Sequence, residues 1–519
     1  MQKRIQAYLY TTYHTSVHVI IARFTRKANL MDRIGSAKTY LKTLMARDEA
    51  FNAKQSGLEH FDVVDPAYGT VICAVPIMDA AMIEGQIAGA HKAQMKWAAL
   101  GFAGRAALLD KWHDQIVEHK DALAALLTWE QGKPLAESQA EIASTIGNVR
   151  WSAQRCADSY EHTEPSHIDG AKNIIKYEAI GVVAAITPWN FPSAMVTRKA
   201  APALAAGCAV VLKPAEDTPL SALALCDLAY QAGIPRDVLR IITLDRDHAA
   251  LFSEVAFKTP KVAMASFTGS TAIGKLLIKA SAENVTKLSL ELGGNAPFIV
   301  RADADLQAVV AGAFASKFRN AGQTCICANR IYVHEDAYDA FKSMFVQRVS
   351  QAKIGDGFDS AVEIGPVINQ RAYQRLCAFK DELEAQNAQI LPVQSVGHDS
   401  GLFFAPLVYE CDSACTAPQQ EIFGPVACLY KYSNDDEVVA LANETEYGLA
   451  AYVYGGDKDA TYALAAQLQF GMVGINEVRI ADASIPFGGV KQSGVGREGG
   501  QDSLKNFMNL KYFCRRDSV

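Results

Sequence analysis

No stretch of this sequence approaches the ~20 consecutive apolar residues that a helix needs to cross a bilayer, so a membrane role is not expected. Nor is there an excess of basic residues. Fifty Lys and Arg stand against 56 Asp and Glu, for a formal net charge of −6, and that balance argues against nucleic acid as a partner. No histidine accompanies the cysteines at zinc-finger spacing, so no metal site is expected. The cysteines themselves number 11, odd and scattered, with only Cys325/Cys327 and Cys411/Cys415 close together. Free thiols of this kind fit a reducing compartment such as the cytoplasm. Internal repeats and low-complexity tracts are missing as well. Residues 1–30 contain no Asp or Glu, yet carry Lys3, Arg4, Arg23, Arg26 and Lys27. Two readings stand: a transit peptide bound for the mitochondrial matrix, or an upstream start with Met31 as the true beginning. Val17–Ile21 is too short for the apolar region of a secretory signal.

What is present is an ordinary globular composition, 50% hydrophobic and 20% charged over 519 residues, enough for about three lobes at ~150 residues each. Globular sequence is expected from Phe61. The pattern over 80–131 is helical, with Leu109, Trp112 and Ile116 on one face, and Gly132 and Pro134 ending the run. From Gly181, short apolar runs alternate with helical segments: Val182–Ile186, Cys208–Leu212, Val238–Leu244, Val262–Phe267 and Leu288–Leu292. This alternation predicts an α/β fold with a parallel, Rossmann-like sheet. A second α/β series follows: Ala296–Val300, Arg330–His334, Val426–Tyr430 and Ala451–Tyr454, with helices over Asp303–Phe318 and Ala337–Ala352.

The chemistry centres on Lys317–Arg330, which offers the thiol of Cys325 in a small polar loop, and on Leu290–Asn295, which offers the carboxylate of Glu291 beside two glycines. A thiol nucleophile and a carboxylate base can oxidise an aldehyde through a thioester if a hydride acceptor is near. Gly269-Ser270 follows a strand and opens a helix, as a phosphate-binding turn does; a plain tight turn reads the same. The string Gly269…Gly274-Lys275 also begins a nucleoside-triphosphate loop, but Leu276 stands where that loop needs Ser or Thr. Glu216, after a strand ending at Lys213, is either a ribose ligand or a solvated loop acid. As a ribose ligand it would repel a 2′-phosphate and favour NAD over NADP. Asn190 lies between Pro188 and Pro192, in a stiff loop able to hold an amide donor, or simply a structural turn around Trp189.

Taken together and in this order, Asn190, Lys213, Glu216, Ser270, Glu291, Cys325, Glu421 and Phe487 resemble the aldehyde dehydrogenase superfamily over roughly residues 61–512. The resemblance implies that Cys325 attacks the aldehyde, that Asn190 and the Cys325 N–H hold the oxyanion, and that hydride passes to the cofactor. Glu291 then activates the hydrolytic water. Lys199 and Glu498 match the family's buried pair, sometimes assigned to proton relay. Ile186, Trp189, Lys213, Glu216, Gly269, Ser270, Glu421 and Phe423 would hold the cofactor, NAD with NADP as the other possibility. The implied division is a basic extension over 1–30, a NAD-binding domain over 31–160 and 179–291, and a catalytic domain over 292–495. An oligomerisation flap follows from 161–178 and 500–519, giving homodimers or homotetramers.

Thr197–Pro202, Lys213–Leu220 and Lys317–Arg330 resemble succinate-semialdehyde dehydrogenase. In that family Arg198 and Arg319, with Phe487 beside them, would hold a distal carboxylate, a role suited to a guanidinium fork. A structural ion pair is the alternative for each. One departure stands out: Ala481 occupies the place of a carboxylate-binding serine, and Arg479 adds a charge to the same loop. Glutarate semialdehyde or a sulfonated aldehyde is therefore an alternative substrate, and a catalytically silent relative is the alternative of another class. Relatives with Cys-x-Cys at this place can close a disulfide; Cys327 is either that partner or a small packed residue.

Overall fold

The computed structural model describes residues 34–47, 57–393, 401–412 and 414–516. The basic segment 1–30 and the start at Met31 lie outside the described residues.

Two large sheets organise the chain. The first has six strands in the order Gly494–Val495, Lys287–Glu291, Val262–Thr268, Val182–Ile186, Ala209–Lys213, Leu239–Ile241. All pairs are parallel except the first, where Gly494 and Val495 run antiparallel to Glu291 and Leu290. The apolar runs are continuous because both faces are covered. Val183 and Ala185 point into one core with Leu204 and Leu223, and Val182 and Ala184 point into another with Phe252 and Leu277.

The second sheet has seven strands, centred on Val426–Tyr432, Ala328–His334, Ala296–Val300 and Ala450–Tyr454, again parallel in the middle. Phe298 and Val300 face one core while Ile299 faces the other. A third sheet of three antiparallel strands, Met508–Arg516, Ala171–Ala179 and Glu161–Pro165, stands apart. No helix among the described residues is long and apolar enough to cross a membrane.

The helical stretch over 80–131 is two helices, Ala80–Ala98 and Gly101–Gln131. The Asp79 carboxylate caps the first by accepting from the Met82 N–H at 2.8 Å. Leu109, Trp112 and Ile116 are fully buried, as their spacing predicts. The second helix ends at Gly132, whose φ of 92° is left-handed. A Cβ there would stand 2.6 Å from Pro366 Cγ, so the position is closed to larger residues.

Two expectations need correction. Ordered structure begins before Phe61: residues 34–47 form a helix that buries Ala37, Tyr40, Leu41 and Leu44 against the first core. Gly494–Val495, placed by the sequence with the catalytic region, completes the sheet on the nucleotide side, because the chain returns across the molecule to cover its exposed edge.

Candidate active site

The first sheet switches direction at its central strand. Val182–Ile186 pairs with Ala209–Lys213 on one side and with Val262–Thr268 on the other. Ligand clefts form at the carboxyl ends of strands at such a point. Here a cleft of about 740 Å³ opens, and Trp189, Asn190, Glu216, Gly269, Ser270, Cys325, Glu421 and Phe423 all line it. Trp189 and Phe423 meet edge to face at 5.5 Å. Ile186 and Lys213 sit just behind, paired across the strands, and the Lys213 ammonium lies 3.6 Å from the Glu216 carboxylate.

The donor set fits a dinucleotide. Glu216 and Glu421 are lining carboxylates suited to ribose hydroxyls. Ser270, in the same lining, caps the helix Thr271–Ser281, whose N-terminus carries the positive pole that phosphate needs. Two neighbouring helices are closed to phosphate. The Glu141 carboxylate accepts from Ser193 and Ala194 N–H at the start of Pro192–Ala206. Glu130 does the same for Leu220 and Ser221 at the start of Pro219–Gln231. A Cβ on Gly269 would meet the Phe267 ring at 2.4 Å, so a side chain there must displace that ring.

Cys325 is held by its surroundings. Asn320 and Ala321 adopt left-handed φ values of 52° and 54°, which turn the chain sharply before the thiol. Tyr452 Oη donates to the Ile326 carbonyl at 2.7 Å. Gly294 presses from beneath: a Cβ there would lie 2.2 Å from the Cys325 carbonyl oxygen. Burial pushes the thiol up to about 12, with the carboxylates of Glu421 and Glu291 adding to the rise and Arg319 opposing it. The resting group is therefore a thiol, and its attack needs a base or an arriving positive charge.

Glu291 ends its strand with both carboxylate oxygens buried and without a hydrogen-bond partner among the described residues. Burial, and then repulsion from Glu498, raises its pKa well above the ordinary carboxyl range. An unsatisfied, high-pKa carboxylate is suited to accept a proton from water. Behind it Lys199 donates to both Glu498 and Ser266 in a pair hidden from solvent.

Asn190 Nδ2 donates to the Gln323 carbonyl at 3.0 Å, two residues before Cys325. That amide has two N–H groups, so one remains to meet an oxyanion. Arg198 is buried, its guanidinium over the Phe487 ring at 4.9 Å and donating to the Asp482 carbonyl at 3.1 Å. Its Nε has no partner among the described residues. Arg319 is exposed and lies 4.9 Å from the Phe191 ring. Arg479 departs from expectation: its charge is answered by Glu477 at 2.9 Å on the surface, so it adds no net charge to the loop. Cys325 and Cys327 are both free, and Cys327 donates to the Lys317 carbonyl at 3.4 Å.

Other residues at the site escaped the sequence reading. Asp217, Arg246 and Arg371 line the cleft. Lys133, Glu141 and Asn320 form a buried network beneath Asn190. A lysine between a helix-ending glycine and a proline reads as a surface residue, and only the fold shows it buried.

Residues 51–513 match the aldehyde dehydrogenase family. The chain is 44% identical over 457 residues to the NADP(+) succinate-semialdehyde dehydrogenase GabD of Escherichia coli (strain K12), covering 88% of this chain and 94% of that one. It is 45% identical to 3-sulfolactaldehyde dehydrogenase of Pseudomonas putida, covering 88% and 93%. Among solved structures, succinate-semialdehyde dehydrogenase from Burkholderia pseudomallei superposes with a TM-score of 0.85 at 44% identity, over 88% of this chain and 95% of that one.

Proposed function

Because this chain belongs to the aldehyde dehydrogenase family and is an NAD(P)-dependent aldehyde dehydrogenase, we propose that its substrate is a small aldehyde carrying a distal carboxylate, with succinate semialdehyde first. The observation that carries this reading is the pair of guanidinium groups beside the reactive groups. Arg319 is close enough to draw the Cys325 pKa downward, and Arg198 does the same to Glu291. A carboxylate held by both would present its aldehyde carbon to the thiol.

The residues divide the work as follows. Cys325 gives its thiol proton to Glu291 as it forms the carbon–sulfur bond, and the free Asn190 N–H with the Cys325 N–H holds the oxyanion. The cofactor, when bound, supplies the hydride acceptor. Glu216 and Glu421 hold its two riboses, and Ser270 with the helix behind it meets the pyrophosphate. Glu291 takes a proton from water as it opens the thioester, and Lys199 with Glu498 receives the proton behind it. Glu216 favours NAD, with NADP as the second cofactor.

A second reading keeps the chemistry and changes the acid. Ala481 lacks a hydroxyl, and Arg198 spends one N–H on the Asp482 carbonyl, which leaves room for a longer or a sulfonated aldehyde. The free thiols support a reducing compartment, the cytoplasm in this reading. The strand Met508–Arg516 exposes Leu510, Tyr512 and Phe513 on an open edge. That supports a homodimer or homotetramer, testable by light scattering.

Initial rates with acid semialdehydes and neutral aldehydes of equal length, each with NAD and NADP, test the proposal. Preference for succinate semialdehyde is the expected result. Equal rates on neutral aldehydes would remove the arginine clamp, and preference for glutarate or sulfonated aldehydes would favour the second reading.

A further inference from the structure

Lys133 is a fully buried cation that takes no part in the chemistry above. Its ammonium donates to Glu141 Oε2 at 2.6 Å and to the main-chain carbonyl of Asn190 at 2.6 Å. It also lies 4.1 Å from the Phe191 ring, the next residue along. The other Glu141 oxygen accepts from Ser193 N–H at 2.9 Å and Ala194 N–H at 3.2 Å. The ion pair thus grips residues 190–194 at both ends. Burying an ammonium and a carboxylate is costly unless each is fully bonded, and apolar side chains would fill the same space without that cost. The arrangement serves placement more than packing.

A second brace comes from the thiol side. Asn320 Nδ2 donates to the same Asn190 carbonyl at 3.0 Å, and Gln131 Nε2 holds the Asn320 side-chain oxygen at 2.9 Å. Gln131 Oε1 also accepts from the Lys133 N–H at 3.0 Å. One short segment, 131–133, therefore fixes both the Asn190 loop and the turn leading to Cys325. With its carbonyl pinned from two directions, Asn190 has little freedom, and its amide is kept on the Gln323–Cys325 side.

We infer that Lys133, paired with Glu141 and helped by Asn320, is a positioning residue that sets the oxyanion donor Asn190 against Cys325. The inference rests on the role of Asn190 given under Proposed function. Misplacing a reacting geometry by about 1 Å can cost ~10²-fold in rate.

The test is a double-mutant cycle in the full chain. Lys133→Met with Glu141→Gln removes both charges together, and Gln keeps an acceptor for the helix start, so no lone buried charge is left. The expected result is a fall in kcat/KM of roughly 30–100-fold with Asn190 present. In an Asn190→Ala background the same pair should cost less than about 3-fold. Alkylation of Cys325 by iodoacetamide needs no oxyanion donor and should be unchanged. Asn320→Ser, which leaves the ion pair intact, provides a second cycle if the first variant does not fold. Equal losses in both backgrounds, or a matching fall in alkylation, would overturn the inference and mark the network as scaffold. If Asn190→Ala alone left kcat/KM unchanged, the role of Asn190 itself would fall, a result separable from failure of the brace.

Discussion

The Glu498 carboxylate stands near enough to Glu291 to raise its proton affinity, second only to burial, while Glu498 itself accepts from Lys199. The base of the proposed reaction therefore lies under the control of a group that never touches substrate. Glu498→Gln removes the repulsion and lets the Glu291 pKa fall. Glu291 is then ionised at lower pH, so the acid limb of the kcat–pH profile should move toward acid. A limb that stays in place or moves the other way would contradict the assignment.

Glu421 is the largest charged influence raising the Cys325 pKa. Its own carboxyl is pushed up to about 7 by burial, against the Gly294 N–H that it accepts at 3.0 Å. Glu421→Gln should lower the thiol pKa and speed iodoacetamide alkylation of the enzyme without cofactor at pH 8, where wild-type Glu421 is ionised. The same change should raise KM for NAD, since a ribose ligand is weakened. Slower alkylation would show that the carboxylate does not act on the thiol.

Arg198→Leu or Arg319→Leu removes charge-assisted hydrogen bonds worth ~1.5–3 kcal/mol each. The kcat/KM for succinate semialdehyde should fall about 10–100-fold more than that for a neutral aldehyde of equal length, which loses only the pull of the guanidinium on Cys325 or Glu291. Steady-state kinetics on the two substrates separates a clamp from an ion pair that merely holds the fold.

Glu216→Ser should move preference toward NADP by on the order of 10-fold or more. A carboxylate facing a phosphate is replaced by a neutral donor, and Lys213, now 3.6 Å from Glu216, is freed to pair with the phosphate. The ratio of kcat/KM values with the two cofactors reads this directly.

Gly294→Ala should abolish turnover while the protein stays folded. The added methyl meets the Cys325 carbonyl at 2.2 Å and must push the nucleophile loop away. Circular dichroism and NAD binding would report the fold, and a variant that kept full activity would show that the loop has slack.

Much of this was legible in the residues. The strand over Val182–Ile186 falls where its apolar run lies, and Leu109, Trp112 and Ile116 are buried together. Cys325 and Glu291 stand out because a thiol and a carboxylate lie in short polar stretches beside glycines; Cys325 lines the cleft, and Glu291, buried at the end of its strand, is near enough to raise the thiol's pKa. The helix Leu135–Arg155 was not legible. Its buried face includes Ser138, Glu141, Thr145, Asn148 and Ser152, so the apolar periodicity that marks a helix is thin there. That face is polar because it carries the network under Asn190. Lys133 was hidden for the same reason: burial is a property of the fold, and nothing adjacent in sequence announces it. The helix over 34–47 does carry periodicity, through Ala37, Tyr40, Leu41 and Leu44, but it follows a basic stretch that drew a different reading.

The return of the chain to its first sheet also sets a clock. Lys199 and Glu498 are 299 residues apart. A ribosome adding ~5–20 residues per second leaves Lys199 without its carboxylate for roughly 15–60 s. Glu291 waits a shorter time, roughly 10–40 s at the same rate, for Gly494 to cover its strand edge. The parallel strands of the first sheet are made early, but the acid–base centre is sealed only when residues 494–498 are made. A nascent chain stalled before that point would hold most of a cofactor cleft and an open sheet edge, the condition in which chaperones find their clients.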